Sequence, residues 1–270
     1  MVRLPTPAKW ALRLIVIAYV FLLVGWPMVT LVQNAFADGL ANFQAAFSDP
    51  DVVHAMLVTI EISLWAVAIN TVFGVGMALL LVRYEFPGKR ALSAMIDLPM
   101  SVSPVVIGLA LLLVYNGRNG WFGPTLESHG LIVIFNSPGM IMATCFVSLP
   151  LVVREVVPVL TEIGNDQEQA ATSLGANAFQ TLRRITLPAI KWAVVYGVVL
   201  TLARSLGEFG ALKIVSGNLT GQTQTAPLVV EQQYNNFAQG EAYAVSFILV
   251  LISVLCILVV SLLRPKESTS

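Results

Sequence analysis

The sequence is short of charge. Only 11% of its 270 residues are Asp, Glu, Lys or Arg, against about 25% in soluble domains. So few charges cannot cover a surface that faces water, which rules out an ordinary soluble domain. Basic and acidic residues balance at fifteen each, which argues against nucleic acid as a partner, since that would favour a basic face. Cysteine is equally scarce. Cys145 and Cys256 both sit inside apolar runs and read as small core residues, not a disulfide or a metal pair. The two histidines, His54 and His129, fall outside the longest apolar runs. No G-x-x-x-x-G-K-[ST] phosphate loop is present, so the chain has no evident ATP site of its own. H-E-x-x-H and G-x-S-x-G are missing too. An intramembrane protease or a metal site is not assembled, and the chain reads as non-catalytic. No convincing internal repeat supports a secondary transporter, whose folds are commonly built from repeats.

What the chain has is length of apolar sequence. Hydrophobic residues make up 57% and mean hydropathy is +0.80. A hydrocarbon core of about 30 Å needs about 20 apolar residues of helix. Six segments meet or approach that: Leu12–Val32, Ile62–Val82, Ile96–Tyr115, Ser137–Val157, Trp192–Val215 and Tyr243–Leu263. The fold expected is an all-α polytopic membrane bundle of about six spanning helices, because backbone in lipid must satisfy its own hydrogen bonds. The short alternating segments of a barrel are absent. Ala35-Phe36-Ala37 follows the first segment and has the A-x-A form of a signal-peptidase site. The uncharged run from Leu14 to Ala37 is longer than a signal peptide's apolar region, so this segment is expected to be a retained span.

Basic residues set an orientation. Twelve of the fifteen fall on one side of six spans: Arg3, Lys9, Arg13, Arg83, Lys89, Arg90, Arg154, Arg183, Arg184, Lys191, Arg264 and Lys266. Positive residues stay inside, so both termini are expected in the cytoplasm. The first outer loop carries Asp38, Asp49 and Asp51 and no basic residue.

One cytoplasmic stretch is too long and too polar for a simple connection: EQAATSLGANAFQTLRRITLPAI, Glu168 to Ile190. Its punctuation is legible. Gln169–Leu174 is rich in helix formers, and Gly175 suits the left-handed end of a helix. Asn177 can cap a second short helix, Ala178–Ile185. Pro188 then suits the first turn of a helix leading into the fifth span. Such a hairpin is a knob beyond the membrane. Ala170, Ala171, Ser173, Ala176 and Ala178 let another backbone come close. The plainer alternative is a linker lying on the lipid surface, with Arg183 and Arg184 near anionic headgroups.

The stretch resembles the signature loop of ABC importer permeases, E-A-A, three residues, Gly, nine residues, I-x-L-P. Gly175 and, nine residues on, Ile185-Thr186-Leu187-Pro188 match in full. Gln169-Ala170-Ala171 occupies the E-A-A place, with Gln for the usual Glu and Glu168 one residue earlier. With Ile96–Pro124 and Arg204–Glu231, the combination resembles sulfate/thiosulfate permeases of the CysW type, with the CysT type and molybdate permeases close behind. The resemblance implies a type I ABC importer transmembrane fold across residues 55–263. Residues 1–54 then form an N-terminal segment, first span and outer loop, and 264–270 a cytoplasmic tail. It also implies that Gln169, Ala170, Ala171, Gly175, Asn177, Ala178, Phe179, Ile185, Leu187 and Pro188 form a contact with an ATPase. The implied partners are two ATPase subunits that bind ATP and Mg, a second permease, expected to be a different chain, and an extracytoplasmic sulfate-binding protein, all beside membrane lipid. A molybdate or tungstate permease, or an ATP-independent anion transporter, is the alternative.

Two further features bear on an anion pathway. Only Trp192–Ala203 is uncharged in the fifth segment before Arg204, Glu208 and Lys213, and twelve residues are too few to cross. Charged residues at membrane depth tend to face a cavity or a partner. Arg204 and Glu208 are four apart, hence neighbours on a helix face. They form either a structural ion pair or an anion-attracting site. The third segment carries Pro99 and Pro104 with Ser101 and Ser103 between them. Prolines kink helices, and hydroxyls can donate to an oxyanion. Ser101, Ser103, Pro104, Arg204 and Glu208 are therefore the pathway candidates. Gly74, Gly76 and Gly108 are expected to serve helix packing.

Overall fold

The computed structural model describes residues 6–263. Arg3, Arg264, Lys266 and the 264–270 tail lie outside the described residues. Those described are helical, without a strand. Five helices are long and apolar enough to cross a bilayer, six when one bent pair counts as a span. They are Pro7–Ala35, Pro50–Arg83, the pair Lys89–Ser101 and Pro104–Tyr115, Ser137–Ile163, Ala178–Leu206 and Gln239–Leu262. The chain divides into two compact units. One runs up to Asp49 and takes in Val230–Ile248. The other holds Pro50–Val229 and the residues from Leu249 onward.

In the first unit, Phe36, Phe43 and Phe247 form an aromatic cluster with ring centroids 4.8, 5.3 and 5.9 Å apart. Two of the three contacts are edge-to-face, the arrangement favoured by ring quadrupoles.

In the second unit, the second, fourth and fifth spans pack around Ala78, Val152, Val156, Leu160 and Ile190. Lipid offers apolar side chains no hydrophobic reason to associate, so small residues and interhelical hydrogen bonds matter more. Both are present. Gly74 and Gly197 each lie against Val152. Asn70, almost fully buried, donates to the Cys145 carbonyl at 3.0 Å and to Ser148 Oγ at 2.8 Å. That ties the second span to the fourth. Gly76, by contrast, faces open space and has no packing role among the described residues.

Two of the expected spans are drawn differently by the structure. Ile96–Tyr115 is not one continuous helix. It breaks after Ser101 and turns by 113° before Pro104. Val102 and Ser103 are extended, with ψ of 138° and 134°. A residue before proline is pushed out of the helical region by the ring, and Pro104 then starts the next helix. The fifth span does not run from Trp192 to Val215. It ends at Leu206 and begins far earlier, at Ala178. The chain turns through Gly207 and forms a separate short helix, Gly210–Val215. The uncharged Trp192–Ala203 run is thus only part of a 29-residue helix. That short helix is flush with Pro104–Tyr115, since a Cβ on Gly108 would meet the Ala211 carbonyl oxygen at 2.8 Å.

Candidate functional site

The fourth span ends at Ile163, and Gly164 takes φ +69° beyond it. A short helix, Asp166–Ser173, comes next. Gly175 has φ +89°, which glycine adopts without the penalty of a Cβ. The Ala176 N–H donates to Ala171 O and the Gly175 N–H to Thr172 O, both at 3.0 Å. This pair of bonds is a Schellman ending, which satisfies the orphan carbonyls of the helix. Asn177 opens the next helix with a reciprocal cap. Its side chain accepts from the Gln180 N–H at 2.9 Å, and Gln180 Oε1 accepts from the Asn177 N–H at 3.0 Å. Two donors that a helix start leaves empty are thus filled.

The separate helix expected over Ala178–Ile185 does not form. Ala178–Thr181 runs through a wide π turn, Leu182–Thr186, directly into Leu187–Leu206. Pro188 interrupts nothing. It has no N–H to donate, and it comes after the last bond of the wide turn, Leu187 N–H to Leu182 O. The second half of the knob, from Ala178, and the fifth span are therefore one continuous rod.

The outer face of the knob is apolar and open. Leu174 is 89% exposed and Phe179 68%. Gln169, Ala170, Gly175, Asn177, Ala178, Leu187 and Pro188 are exposed as well, while Ala171 and Ile185 are half-buried. A cleft of about 820 Å³ lies beside them, bordered by Tyr84, Gln169, Thr172, Ser173, Ala178 and Leu182 among others.

The inner face is held by residues that sequence reasoning did not select. Arg83, the last residue of the second span, lies 2.9 Å (Nε) from Oε2 of Glu168. Its Nη2 donates to Glu168 Oε1 at 3.2 Å and to the Gly164 carbonyl at 2.6 Å, and Nη1 donates to the Leu160 carbonyl at 3.1 Å. Thr186 Oγ–H donates to Glu168 Oε1 at 2.8 Å. Glu168 thus points inward. It does not supply the outward acidic group missing at Gln169.

The pathway candidates lie in one region. The break in the third span meets the elbow after the fifth: a Cβ on Gly210 would be 3.1 Å from Pro104 Cβ and 3.3 Å from Val105. Ser101 and Ser103 are exposed at that break. Glu208 lies two residues past the helix end, yet still meets Arg204, with Oε2 2.7 Å from Nη1. Its Oε1 accepts from the Ala211 N–H at 3.0 Å, so the carboxylate also caps the Gly210–Val215 helix. Glu208 is 2% exposed and Arg204 39%. The pair is thus buried on its acidic side and open on its basic side. No group of three or more metal-ligating side chains occurs among the described residues.

A family model described as "Binding-protein-dependent transport system inner membrane component" matches residues 70–267. The chain belongs to this family. It is a multi-pass inner-membrane transport subunit and not a catalyst. Among curated relatives, the chain is 47% identical over 248 residues to the sulfate transport system permease protein CysW of Synechococcus elongatus, covering 92% of this chain and 86% of that one. It is 43% identical over 251 residues to the Escherichia coli protein of the same name, with 91% and 85% covered. A probable cysT permease of Helicosporidium is 36% identical, with 93% of each covered. Among solved structures, a bacterial ABC transporter for alginate import superposes with a TM-score of 0.79 over 96% of both chains at 18% identity. At that identity the likeness shows the fold alone, that of an ABC importer's transmembrane subunit.

Proposed function

We propose that this chain is one permease subunit of an ATP-driven sulfate importer. Support comes first from the CysW relatives, which match about nine-tenths of the chain at 42–47% identity. The geometry supports it second: an exposed apolar knob is continuous with a spanning helix. A second permease, of a different chain, completes the pathway. Two ATPase subunits bind ATP and Mg in the cytoplasm, and an extracytoplasmic protein delivers sulfate. Both termini face the cytoplasm, as the twelve inward basic residues imply. No cofactor resides on this chain.

The mechanism rests on the rod. ATPase closure pulls the knob at Gln169–Phe179, and the fifth span moves with it. The elbow at Gly207–Gly210 bears on the third-span break at Ser101–Pro104, where exposed hydroxyls meet the anion. Work is done only by contacts that differ between the inward-open and outward-open states. Arg204 is half-neutralised by Glu208, so a passing dianion meets a weak attraction that does not block its release.

Uptake in a strain lacking its own permeases tests the reading. Labelled sulfate, thiosulfate, molybdate and tungstate are supplied with and without this chain, alongside its partner permease. Sulfate-dependent accumulation that needs ATP is the expected result. Molybdate uptake without sulfate uptake, or accumulation that survives loss of the ATPase, would overturn it.

A further inference from the structure

We propose that Arg83 and Glu168 are the positioning pair that carries movement of the knob into the second and fourth spans. This rests on the reading of the knob as the ATPase contact. Four segments converge on this one pair. Arg83 closes the second span. It donates to Leu160 O and Gly164 O at the end of the fourth. Glu168 lies in the first turn of the Asp166–Ser173 helix. Through Thr186, the same carboxylate holds the wide turn at the root of the fifth span.

The chemistry suits transmission. Arg83 Nη2 donates to Glu168 Oε1, and Nε lies 2.9 Å from Oε2, so the guanidinium faces both oxygens of the carboxylate in a charge-assisted contact. The side chains are only 15% and 20% exposed, so water and salt compete weakly. The Leu160 carbonyl is among the last four of its helix, which have no intrahelical partner, and Arg83 supplies one. Thr186 is buried. Among the described residues, the Arg83–Glu168 pair is the sole ion pair between the knob and any span. Among them too, the Asp166–Thr181 segment makes no other side-chain hydrogen bond to a span besides those of Glu168. The fifth span moves with the knob through the continuous backbone. The second and fourth have this polar tie. Cutting it leaves the knob free to follow the ATPases without dragging them.

The test uses the complete complex, with its partner permease, ATPases and binding protein, in nanodiscs and proteoliposomes. The variants are Glu168→Gln, Thr186→Val and the exchange Arg83→Glu with Glu168→Arg. Glu168→Gln keeps the shape and loses the charge. Its readouts are co-purified ATPase, the ratio of binding-protein-stimulated to basal hydrolysis, and sulfate transported per ATP. The expected result is an assembled complex in which the stimulation ratio and sulfate per ATP each fall by about tenfold, because the coupling is a free energy between two sites. Thr186→Val should show a smaller fall, about twofold, having lost one hydroxyl donor. The exchange should recover part of what Glu168→Gln loses. An assembled Glu168→Gln complex with wild-type sulfate per ATP overturns the proposal. So does a fall in transport that merely tracks abundance, since that is the mark of a structural staple. If Glu168→Gln does not assemble, Thr186→Val decides by the same two readouts.

Should the wild-type complex bind no ATPase and transport no sulfate, the importer reading fails separately. Hydrogen exchange then judges the pair. Glu168→Gln must speed exchange at residues 80–83 and 160–164, away from the change at 168. Unaltered exchange there overturns the tie itself.

Discussion

Removing Arg204 should harm the protein more than removing Glu208, because only one of the two is buried. Arg204→Ala leaves a carboxylate that is 2% exposed, with the Ala211 N–H on Oε1 and no other partner on Oε2. Breaking a buried pair from one side costs about 3–5 kcal/mol. The retained N–H bond and the open side at Arg204 place this case near the low end, about 3 kcal/mol. Glu208→Ala leaves a guanidinium that already reaches solvent. The loss is one half-screened ion pair and one helix cap, together about 1–2 kcal/mol. The double alanine variant has no stranded charge and should match Glu208→Ala, not Arg204→Ala. At about 2–4 °C per kcal/mol for a domain of comparable length, the melting shifts are about 6–12 °C against about 2–8 °C. Membrane abundance and thermal melts of the detergent-purified complex measure the order, with sulfate uptake normalised to abundance alongside. A melt for Arg204→Ala equal to wild type, or a larger loss for Glu208→Ala, would refute the burial argument. Rescued abundance without rescued uptake in the double variant would assign Arg204 to the pathway as well as to the pair.

Accessibility labelling checks the orientation. Cys in place of Leu174 should react only from the cytoplasm, and Cys in place of Trp121 or Leu219 only from outside. All three are well exposed; external labelling at 174 would reverse the topology. Gly175→Val places a β-branched residue at φ +89°, at about 1–2 kcal/mol. Insertion should be normal while ATPase association and uptake fall, as pull-down and transport assays will show. Gly108→Ala sets a methyl 2.8 Å from the Ala211 carbonyl oxygen, so the Gly210–Val215 helix must shift. The expected loss is about 1–3 kcal/mol, read as a lower melting temperature, and an unchanged melt would show that the two helices have slack.

What the sequence by itself determined was whatever depends on near neighbours. Apolar length marked the spans, because a bilayer has a fixed thickness. Gly175 and Asn177 announced the two ends of the knob, because capping acts within three or four residues. The resemblance of that same stretch led to the family that the comparisons then showed. Tertiary structure decided the rest. Proline marked a kink near Ser101–Pro104, but the 113° turn also needs Gly108 and Gly210 to let the Gly210–Val215 helix lie against it. The fifth span's true start was hidden because Arg183, Arg184 and Lys191 look like a loop, although a helix carries them readily where it stands outside lipid. Arg83 and Glu168 are 85 positions apart, and no local pattern joins them. Each looked like an ordinary charge at a membrane edge. Only the packing of the second and fourth spans, set by Asn70, Gly74 and Val152, brings the guanidinium to the carboxylate.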